Sequence, residues 1–472
     1  MPNLKTTVLI IGAGTGGYPC AIRLGQLGVD AILVEKALPG GVCLNWGCIP
    51  SKALISATKL YTKAQEAADM GLEFSGAKVD LPKMQTWKAG IVNKLTTGVR
   101  GLVKGSGTQY IEATAEIVSP KQVVLRYADG KPDDTVETEH IVVATGSVPI
   151  SIPGFEIDQK RVLDSTGALA LDKIPGEMVC IGGGVIGLEL GQTFQRLGTK
   201  LTVLEGLDRI LGTVEKDCAA LVNKQIIADG GTVHTKARAT GWEERDGRAI
   251  VKADIDGKPV EIPADVILLS VGRRPVAKGF GLEKLGVQLD ERGFIRVDKR
   301  QATSVPGIWA VGDVVGQPML AHKASHEGEV LAEVLAGKNA INDARVIPNV
   351  VFTEPEIASA GLGAQEAKDA GYTVDIGKFP FSVSGRAMAI GEAHGFVKIV
   401  TDQADGRVLG VHIVGPEASD LISEAALAIE MGAFAEDISL TIHPHPTLGE
   451  AVMEAAKHAI GEAVHIPNRR KR

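Results

Sequence analysis

Two cysteines lie close together in a segment whose composition suits thiol chemistry. Cys43 and Cys48 are five positions apart, in a glycine-flanked turn that begins at Gly40. Pro50 is typical of the first turn of a helix, so a helix is predicted to start immediately after Cys48. A thiol near a helix N-terminus, with Lys52 close by, should have a lowered pKa and react as a thiolate. The segment therefore predicts a redox-active pair, and the alternative is two buried free cysteines.

Composition and charge exclude several classes of protein. The chain has 472 residues, so about three domains are expected, and its 5 cysteines are too few for a disulfide-stapled secreted scaffold. Its 57 glycines follow no three-residue period, which excludes collagen, and a net charge of -7 disfavours nucleic-acid binding. The sequence contains no unbroken apolar run of about 18 residues, so no membrane span is expected. The first residues also lack the pattern of a secretory signal. We expect a soluble, cytoplasmic protein in which Cys20, Cys180 and Cys218 are core or incidental thiols.

Many of the glycines belong to an internal repeat. In each copy a strand-like apolar run meets a glycine-rich turn, and a helical pattern and a second apolar strand follow. The second strand ends in an acid, Glu35 or Glu205, 23 residues after the first glycine. Such glycines allow a tight turn, a close approach to a pyrophosphate and close packing of helix on strand. The repeat predicts two dinucleotide sites rather than two generic βαβ turns, with glycines Gly12, Gly14 and Gly17 in the first and Gly182, Gly184 and Gly187 in the second.

The acid at the end of each repeat indicates which dinucleotides bind. A carboxylate at this position accepts hydrogen bonds from an adenosine ribose. Glu205 would repel a 2′-phosphate and Arg209 is the one basic residue nearby, which favours NAD over NADP. Two dinucleotide folds in one chain imply two different dinucleotides, most simply a flavin and a nicotinamide.

The repeat and the patterns that follow it divide the chain. Buried-strand patterns end in turns at Gly146 and Gly272, which closes domains at residues 1–150 and 151–275. A strand and turn at 307–313 predict that residues 276–348 return to the first domain. Residues 349–472 mix short strands with helices. The predicted fold class is α/β, with two Rossmann-like dinucleotide-binding domains and a C-terminal α+β domain.

Motifs along the whole chain resemble those of the class I flavoprotein disulfide reductases. They are the cysteine segment 41–52, the second glycine turn to Glu189, Val311–Asp313, Met319–His322 and His443–Glu450, all in the family order. The similarity is greatest to the members that oxidise dihydrolipoyl groups. The last segment departs from them at Pro444, where they usually carry alanine.

The resemblance implies a role for each matching residue. Cys48 would lie against the flavin, Cys43 would exchange with substrate, Asp313 would bind the ribityl chain, and Glu189 would pair with Lys52. Relatives often carry glycines where this chain has Ala113 to Ala115. The implied FAD residues are Gly12, Gly14, Gly17, Glu35, Gly41, Lys52, Ala115, Gly146, Asp313, Leu320 and Ala321, and the implied NAD residues are Gly182, Gly184, Gly187, Glu189, Glu205 and Gly272.

His445 and Glu450 would complete the chemistry. A dithiol must be deprotonated before it attacks a disulfide, and a histidine is a suitable base near neutral pH. A carboxylate can orient the histidine, although an amide or a carbonyl could do the same, so Glu450 depends more on the resemblance. His443 is interpreted as structural. In the family the base reaches the disulfide of the other subunit, which implies a homodimer.

The resemblance implies oxidation of protein-bound dihydrolipoyl groups with reduction of NAD⁺, and the lipoyl domain of a carrier protein as partner. The alternatives are a glutathione- or mercuric-reductase-like enzyme and a non-catalytic flavin-binding subunit. No cysteine follows Cys218, which argues against a mercuric reductase. The basic tail from Asn468 to Arg472 is expected to be a solvated end, and docking on an acidic partner is the alternative.

Overall fold

The first apolar strand forms the middle of a seven-stranded sheet. In the computed structural model, which describes residues 4–468, this strand pairs in parallel with its neighbours on both sides. The order is β3-β2-β1-β6-β5-β4, with β17 beside β6. The strands are β1 (Leu4–Ile11), β2 (Ala31–Glu35), β3 (Gln109–Glu112), β4 (Thr114–Ser119), β5 (Gln122–Arg126), β6 (Asp134–Val143) and β17 (Ile308–Ala310).

Strand β17 brings a late part of the chain back to this sheet. It pairs in parallel with the end of β6, from Ile308 beside Ile141 to Ala310 beside Val143, and all four residues are buried. The turn that follows β17 therefore lies beside the first glycine turn. The helices of this region are α1 (Gly17–Gln26), α2 (Gly41–Trp46), α3 (Cys48–Glu66), α4 (Leu81–Gly105) and α8 (Ala321–Leu335), with 3-10 turns at Ala67–Met70, Leu282–Leu285 and Gly312–Val315.

The second glycine turn belongs to a separate parallel sheet of order β11-β10-β9-β15-β8. An antiparallel three-stranded sheet packs beside it, and a two-stranded pair, β7 with β16, joins the two large regions. The elements are β7 (Ser147–Pro149), β8 (Val162–Leu163), α5 (Ser165–Leu169), β9 (Glu177–Ile181), α6 (Val185–Gln195), β10 (Lys200–Leu204), α7 (Lys216–Ala228), β11 (Thr232–His234), β12 (Ala237–Arg245), β13 (Arg248–Ile255), β14 (Lys258–Ala264), β15 (Val266–Leu269) and β16 (Arg273–Pro275).

The C-terminal region is built on an antiparallel sheet of order β18-β19-β22-β21-β20. Every residue of β21 and β22 is buried, because helices cover the sheet. Residues 469–472, which carry most of the basic tail, lie outside the described residues. The elements are β18 (Asn349–Val351), β19 (Ile357–Gly361), α9 (Ala364–Asp369), β20 (Val374–Pro380), a 3-10 turn (Phe381–Val383), α10 (Gly385–Ala389), β21 (Phe396–Asp402), β22 (Val408–Val414), α11 (Ala418–Met431), α12 (Ala435–Leu440) and α13 (Glu450–Ile460).

Candidate active site

The two cysteines lie on two consecutive helices. Cys48 is the first residue of α3, where the sequence places a helix start, whereas Cys43 lies inside the short helix α2. The expectation that Cys43 sits in a turn is therefore wrong. Gly47 separates the helices, and a Cβ at this position would come within 2.9 Å of the Val42 carbonyl oxygen. Both cysteines are free thiols in the structure.

The two thiols differ sharply in acidity. The pKa of Cys48 is lowered to about 7, chiefly by a hydrogen bond from Cys43 and also by the Lys52 ammonium, against the opposing effect of burial. The same hydrogen bond, together with burial, raises the pKa of Cys43 well above its ordinary value. The lowered pKa predicted from the sequence is found at Cys48. Above about pH 7 the pair is mainly a thiolate at Cys48 and a thiol at Cys43.

Lys52 connects the dithiol to the second dinucleotide region. Its ammonium lies 2.8 Å from a carboxylate oxygen of Glu189, which is buried on α6. The other oxygen of Glu189 accepts a hydrogen bond from the Phe352 backbone N–H at 2.9 Å, and Lys52 lies 4.4 Å from the centre of the Phe352 ring. This carboxylate therefore fixes the cation whose field acts on Cys48.

The first glycine turn leaves backbone accessible where a pyrophosphate would bind. Gly12 has a φ of 103°, and a Cβ there would come within 2.4 Å of the Ala144 oxygen. A Cβ on Gly17 would come within 1.9 Å of the Gly12 oxygen, and one on Gly41 within 2.6 Å of the Gly14 Cα. Only glycine fits at these three positions, whereas a Cβ on Gly14 would meet only the Gly41 Cα, at 3.9 Å, so the space beside Gly14 is open to a dinucleotide.

Glu35 fixes the turn and faces the site. Its carboxylate accepts hydrogen bonds from the Ala13 N–H at 2.8 Å and the Ala37 N–H at 3.0 Å. Each oxygen keeps a second lone pair that can accept a ribose hydroxyl.

The second glycine turn repeats this geometry. Gly182 also has a φ of 103°, and the carboxylate of Glu205 accepts hydrogen bonds from the Gly183 and Leu207 N–H groups, both at 2.7 Å. Arg209 donates to the carbonyl oxygens of Val214 and Gly212, at 2.8 and 2.9 Å. Its guanidinium is thus engaged by backbone, which strengthens the argument against a 2′-phosphate.

Asp313 belongs to a polar group that sequence reasoning only partly identified. Its carboxylate accepts a hydrogen bond from the Ser147 hydroxyl at 2.5 Å. Arg273 donates to that hydroxyl at 2.8 Å and to the Ser147 carbonyl at 2.7 Å. Ser147 directly follows Gly146 and Arg273 directly follows Gly272, both glycines of the predicted site. Their position after these glycines is the sequence feature that could have identified them.

The other FAD candidates contribute backbone or helix termini. Ala115 is buried in β4 opposite Leu125, so its side chain belongs to the core. Leu320 is the N-cap of α8 and Ala321 is its first residue. The start of that helix directs backbone N–H groups towards an anionic ligand.

His445 and Glu450 lie together on the C-terminal region. Nδ1 of His445 is 2.8 Å from a Glu450 oxygen, and the other oxygen accepts a hydrogen bond from the Thr447 N–H at 2.8 Å. Burial raises the pKa of Glu450, but these hydrogen bonds outweigh it and the net pKa is lowered. The His445 side chain is 79% exposed within one chain. Its other ring nitrogen is thus accessible to an incoming group.

His443 has a different environment. Its side chain is 7% exposed, and its ring nitrogens lie 2.7 Å from Glu424 and 2.9 Å from the Thr441 carbonyl oxygen. Both nitrogens are engaged, in agreement with a structural role.

Comparison with known proteins gives one family over the whole chain. Residues 6–328 match the pyridine nucleotide-disulphide oxidoreductase model, and residues 347–456 match the dimerisation domain of the same family. The chain belongs to the pyridine nucleotide-disulphide oxidoreductases. This membership confirms the predicted fold class of two dinucleotide-binding regions followed by a dimerisation domain.

Individual family members are similar over nearly their full length. The dihydrolipoyl dehydrogenase of Geobacillus stearothermophilus is 48% identical, and that of Haloferax volcanii is 47% identical, each over 98% of both chains. Among solved structures, LpdA from Mycobacterium tuberculosis is similar with a TM-score of 0.88 and 27% identity, covering 96% of this chain and 99% of that one. Within residues 4–468, no helix is long and apolar enough to cross a membrane.

Proposed function

We propose that this protein is an NAD-dependent dihydrolipoyl dehydrogenase. It oxidises protein-bound dihydrolipoyl groups to lipoyl groups and reduces NAD⁺ to NADH, with electrons passing through the Cys43–Cys48 pair and FAD. The observation that carries the proposal is the dithiol formed by Cys43 on α2 and Cys48 at the start of α3, with the Cys48 thiolate beside the Lys52–Glu189 pair. Relatives at 45–48% identity, all named dihydrolipoyl dehydrogenase, favour this reaction over glutathione or mercuric reduction.

The two glycine turns hold the two cofactors. Residues 1–150 with 276–348 bind FAD, residues 151–275 bind NAD, and residues 349–472 form the dimer interface. When bound, FAD would supply the two-electron redox chemistry that links the dithiol to NAD⁺. The FAD residues are the turn from Gly12 to Gly17, Glu35, Gly41, Lys52, the Ala115 backbone, Gly146, Asp313 and the Leu320–Ala321 start of α8, and the NAD residues are Gly182, Gly184, Gly187, Glu189, Glu205 and Gly272.

The thiol steps follow from the acidities of the site. His445 takes a proton from a dihydrolipoyl thiol, and the resulting thiolate attacks Cys43 of the oxidised pair. The Cys43–Cys48 bond breaks, and the Cys48 thiolate leaves. The second substrate thiol then attacks the mixed disulfide, which releases the lipoyl ring and leaves a thiol at Cys43. The Lys52 ammonium and the N-terminus of α3 stabilise the departing Cys48 thiolate, which makes Cys48 a good leaving group.

The active protein is a homodimer in which each site uses residues of both chains. The family's dimerisation domain covers the segment that carries His445 and Glu450. The exposed His445 ring faces away from its own chain and serves the dithiol of the partner. The physiological partner is the lipoyl domain of a carrier protein in the cytoplasm, a reducing compartment in which a disulfide of this kind is catalytic rather than structural.

Replacement of Cys48 by Ser tests the proposal. The variant should lose turnover of dihydrolipoamide with NAD⁺ and still contain stoichiometric FAD, because serine cannot form the disulfide. Cys218→Ser is the matched control, since Cys218 is a buried free thiol in the second dinucleotide region and should keep activity. Unchanged turnover in Cys48→Ser would contradict the mechanism.

A further inference from the structure

Helix α8 buries a pair of opposite charges on the face that it turns towards the 312–316 turn. Lys323 and Glu327 are one helical turn apart, and their side chains are 8% and 4% exposed. The ammonium and carboxylate are 2.9 Å apart. Neither residue takes part in the chemistry described above, and the burial of two charges requires an explanation because it is costly.

Both charges hold the turn that carries Asp313. The second oxygen of Glu327 accepts a hydrogen bond from the Gly312 N–H at 2.8 Å. Lys323 donates to the carbonyl oxygen of Gly316 at 3.2 Å and more weakly to that of Gly312 at 3.5 Å. The pair thus contacts both ends of the turn from residue 312 to residue 316, whose two glycines have φ values of 83° and 121°.

The Asp313 side chain is held from the opposite side. Its carboxylate accepts the hydrogen bond from Ser147, which is itself fixed by Arg273. The turn follows the end of β17 at Ala310, and inside it the Val314 carbonyl oxygen accepts a hydrogen bond from the Ile295 N–H at 2.9 Å. The charged pair holds the two ends of the turn, at Gly312 and Gly316.

Helix α8 also contacts the first glycine turn. The Ser325 hydroxyl donates to the Thr15 carbonyl oxygen at 2.9 Å. A Cβ on Gly328 would come within 2.3 Å of the Gly16 oxygen, so helix and turn pack with no intervening space. A single helix therefore positions both the glycine turn and the Asp313 turn.

We propose that Lys323 and Glu327 are positioning residues that hold the 312–316 turn, and through it Asp313, in the geometry required to bind the flavin. The inference rests on the proposed function, which assigns Asp313 to the ribityl chain of FAD. Apolar side chains often replace a buried ion pair without loss of stability. The pair therefore serves geometry rather than overall stability.

The double variant Lys323→Met with Glu327→Leu separates these roles. It leaves no unpaired charge and similar side-chain volume, but it removes the contacts to Gly312 and Gly316. The rate of FAD release from the diluted holoenzyme is measured by the fluorescence of free flavin. This rate should increase by about tenfold or more, because loss of a supporting partner weakens a bound group on that scale. The visible circular dichroism of the flavin that remains bound should also change.

Two single variants complete the test. Glu327→Gln keeps an acceptor for the Gly312 N–H, so its release rate should lie between those of wild type and the double variant. Glu333→Gln is the matched control, because Glu333 is on the same helix but pairs at 2.5 Å with Arg23, away from the turn. It should release FAD at the wild-type rate.

The outcomes distinguish this inference from the proposed function. Wild-type release and an unchanged flavin spectrum in the double variant would overturn the positioning role. If the double variant does not fold, the single variant decides: faster release from Glu327→Gln than from Glu333→Gln supports the role, and equal release overturns it. Absence of FAD from the wild-type protein would instead contradict the proposed function.

Discussion

The hydrogen bond between the two cysteines is the main cause of their different pKa values. The Cys43 thiol donates to the Cys48 sulfur, which stabilises the thiolate at Cys48 and keeps the proton on Cys43. A depressed pKa means that the charged form is populated above about pH 7 and is lost as the pH falls through that value. The two roles that we propose, a thiol for exchange at Cys43 and a thiolate for electron transfer at Cys48, thus fall on groups that already differ in the reduced protein.

Lys52 contributes to this asymmetry, and its removal should be measurable. In a Cys43→Ser background, which retains a hydrogen-bond donor, Lys52→Met should raise the pKa of Cys48 by about 1 unit or more, because the cation is lost and Glu189 is left unpaired. The pH midpoint of Cys48 alkylation by iodoacetamide, located by mass spectrometry, reports that pKa. Lys63→Met, further along the same helix, should leave the midpoint in place. A midpoint unchanged by Lys52→Met would contradict the electrostatic account.

His445 has the exposure and the carboxylate partner of a general base. His445→Gln should lower turnover of dihydrolipoamide by about 10²–10⁴-fold, the usual contribution of a positioned base. Electron transfer from NADH to an artificial acceptor, which bypasses the dithiol, should be nearly unchanged. His394→Gln changes an exposed histidine of the same domain and should affect neither reaction. Equal losses in both reactions would mean that His445 supports the fold instead.

At the scale of elements, two glycines of the second glycine turn, Gly184 and Gly187, are needed for different reasons. A Cβ on Gly187 would come within 2.3 Å of the Ser270 hydroxyl and 2.6 Å of the Cys180 sulfur, so this glycine allows α6 to pack on the sheet. A Cβ on Gly184 would meet no atom of residues 4–468 within 4 Å. Packing within that part of the chain therefore does not require glycine at this position, and we attribute the glycine to the proposed cofactor.

Alanine substitutions should distinguish the glycine needed for packing from the glycine needed for cofactor binding. Gly187→Ala should lower the free energy of unfolding by about 1–3 kcal/mol, the usual cost of overpacking. Gly184→Ala should keep the thermal midpoint of the wild type and raise the KM for NAD⁺ by about tenfold, because a methyl group there costs about 1.4 kcal/mol of binding. Thermal unfolding and steady-state kinetics on both variants give the comparison. A lowered midpoint in Gly184→Ala would contradict the assignment.

The sequence predicted the elements whose pattern is local and repeated. The strand, turn, helix and acid of each repeat lie within about 25 residues, so periodicity and glycine spacing are sufficient to place them. Helix α2 was missed because it has only six residues between glycines, a pattern typical of a turn. The Ser147–Arg273 contact joins residues 126 positions apart through the β7–β16 pair. No local pattern contains that information.

At the scale of the whole molecule, the proposed catalytic base, His445, lies on a surface that one chain leaves open. Apolar side chains are exposed close to the His445 loop in sequence, most of all Ile442, which is 94% exposed, and also Leu440 and Met431. Exposed apolar patches of this kind mark interfaces between proteins. The match to a dimerisation domain supports a homodimer, and we propose that its second copy covers this face and receives His445.

A shared site can be tested with a mixed dimer. Cys48→Ser and His445→Gln chains are co-expressed with different affinity tags, and the mixed dimer is purified through both tags. One site of this dimer then combines the intact Cys48 of one chain with the intact His445 of the other. In a two-fold symmetric dimer this gives about half of the wild-type turnover, whereas both parent homodimers stay inactive. A mixed dimer of a Cys48→Ser chain with a wild-type chain is the control for assembly. It should give half of the wild-type turnover whether the site is shared between chains or lies within one chain. If the doubly tagged dimer were as inactive as its parents, each site would lie within one chain and the proposed exchange across the interface would be wrong.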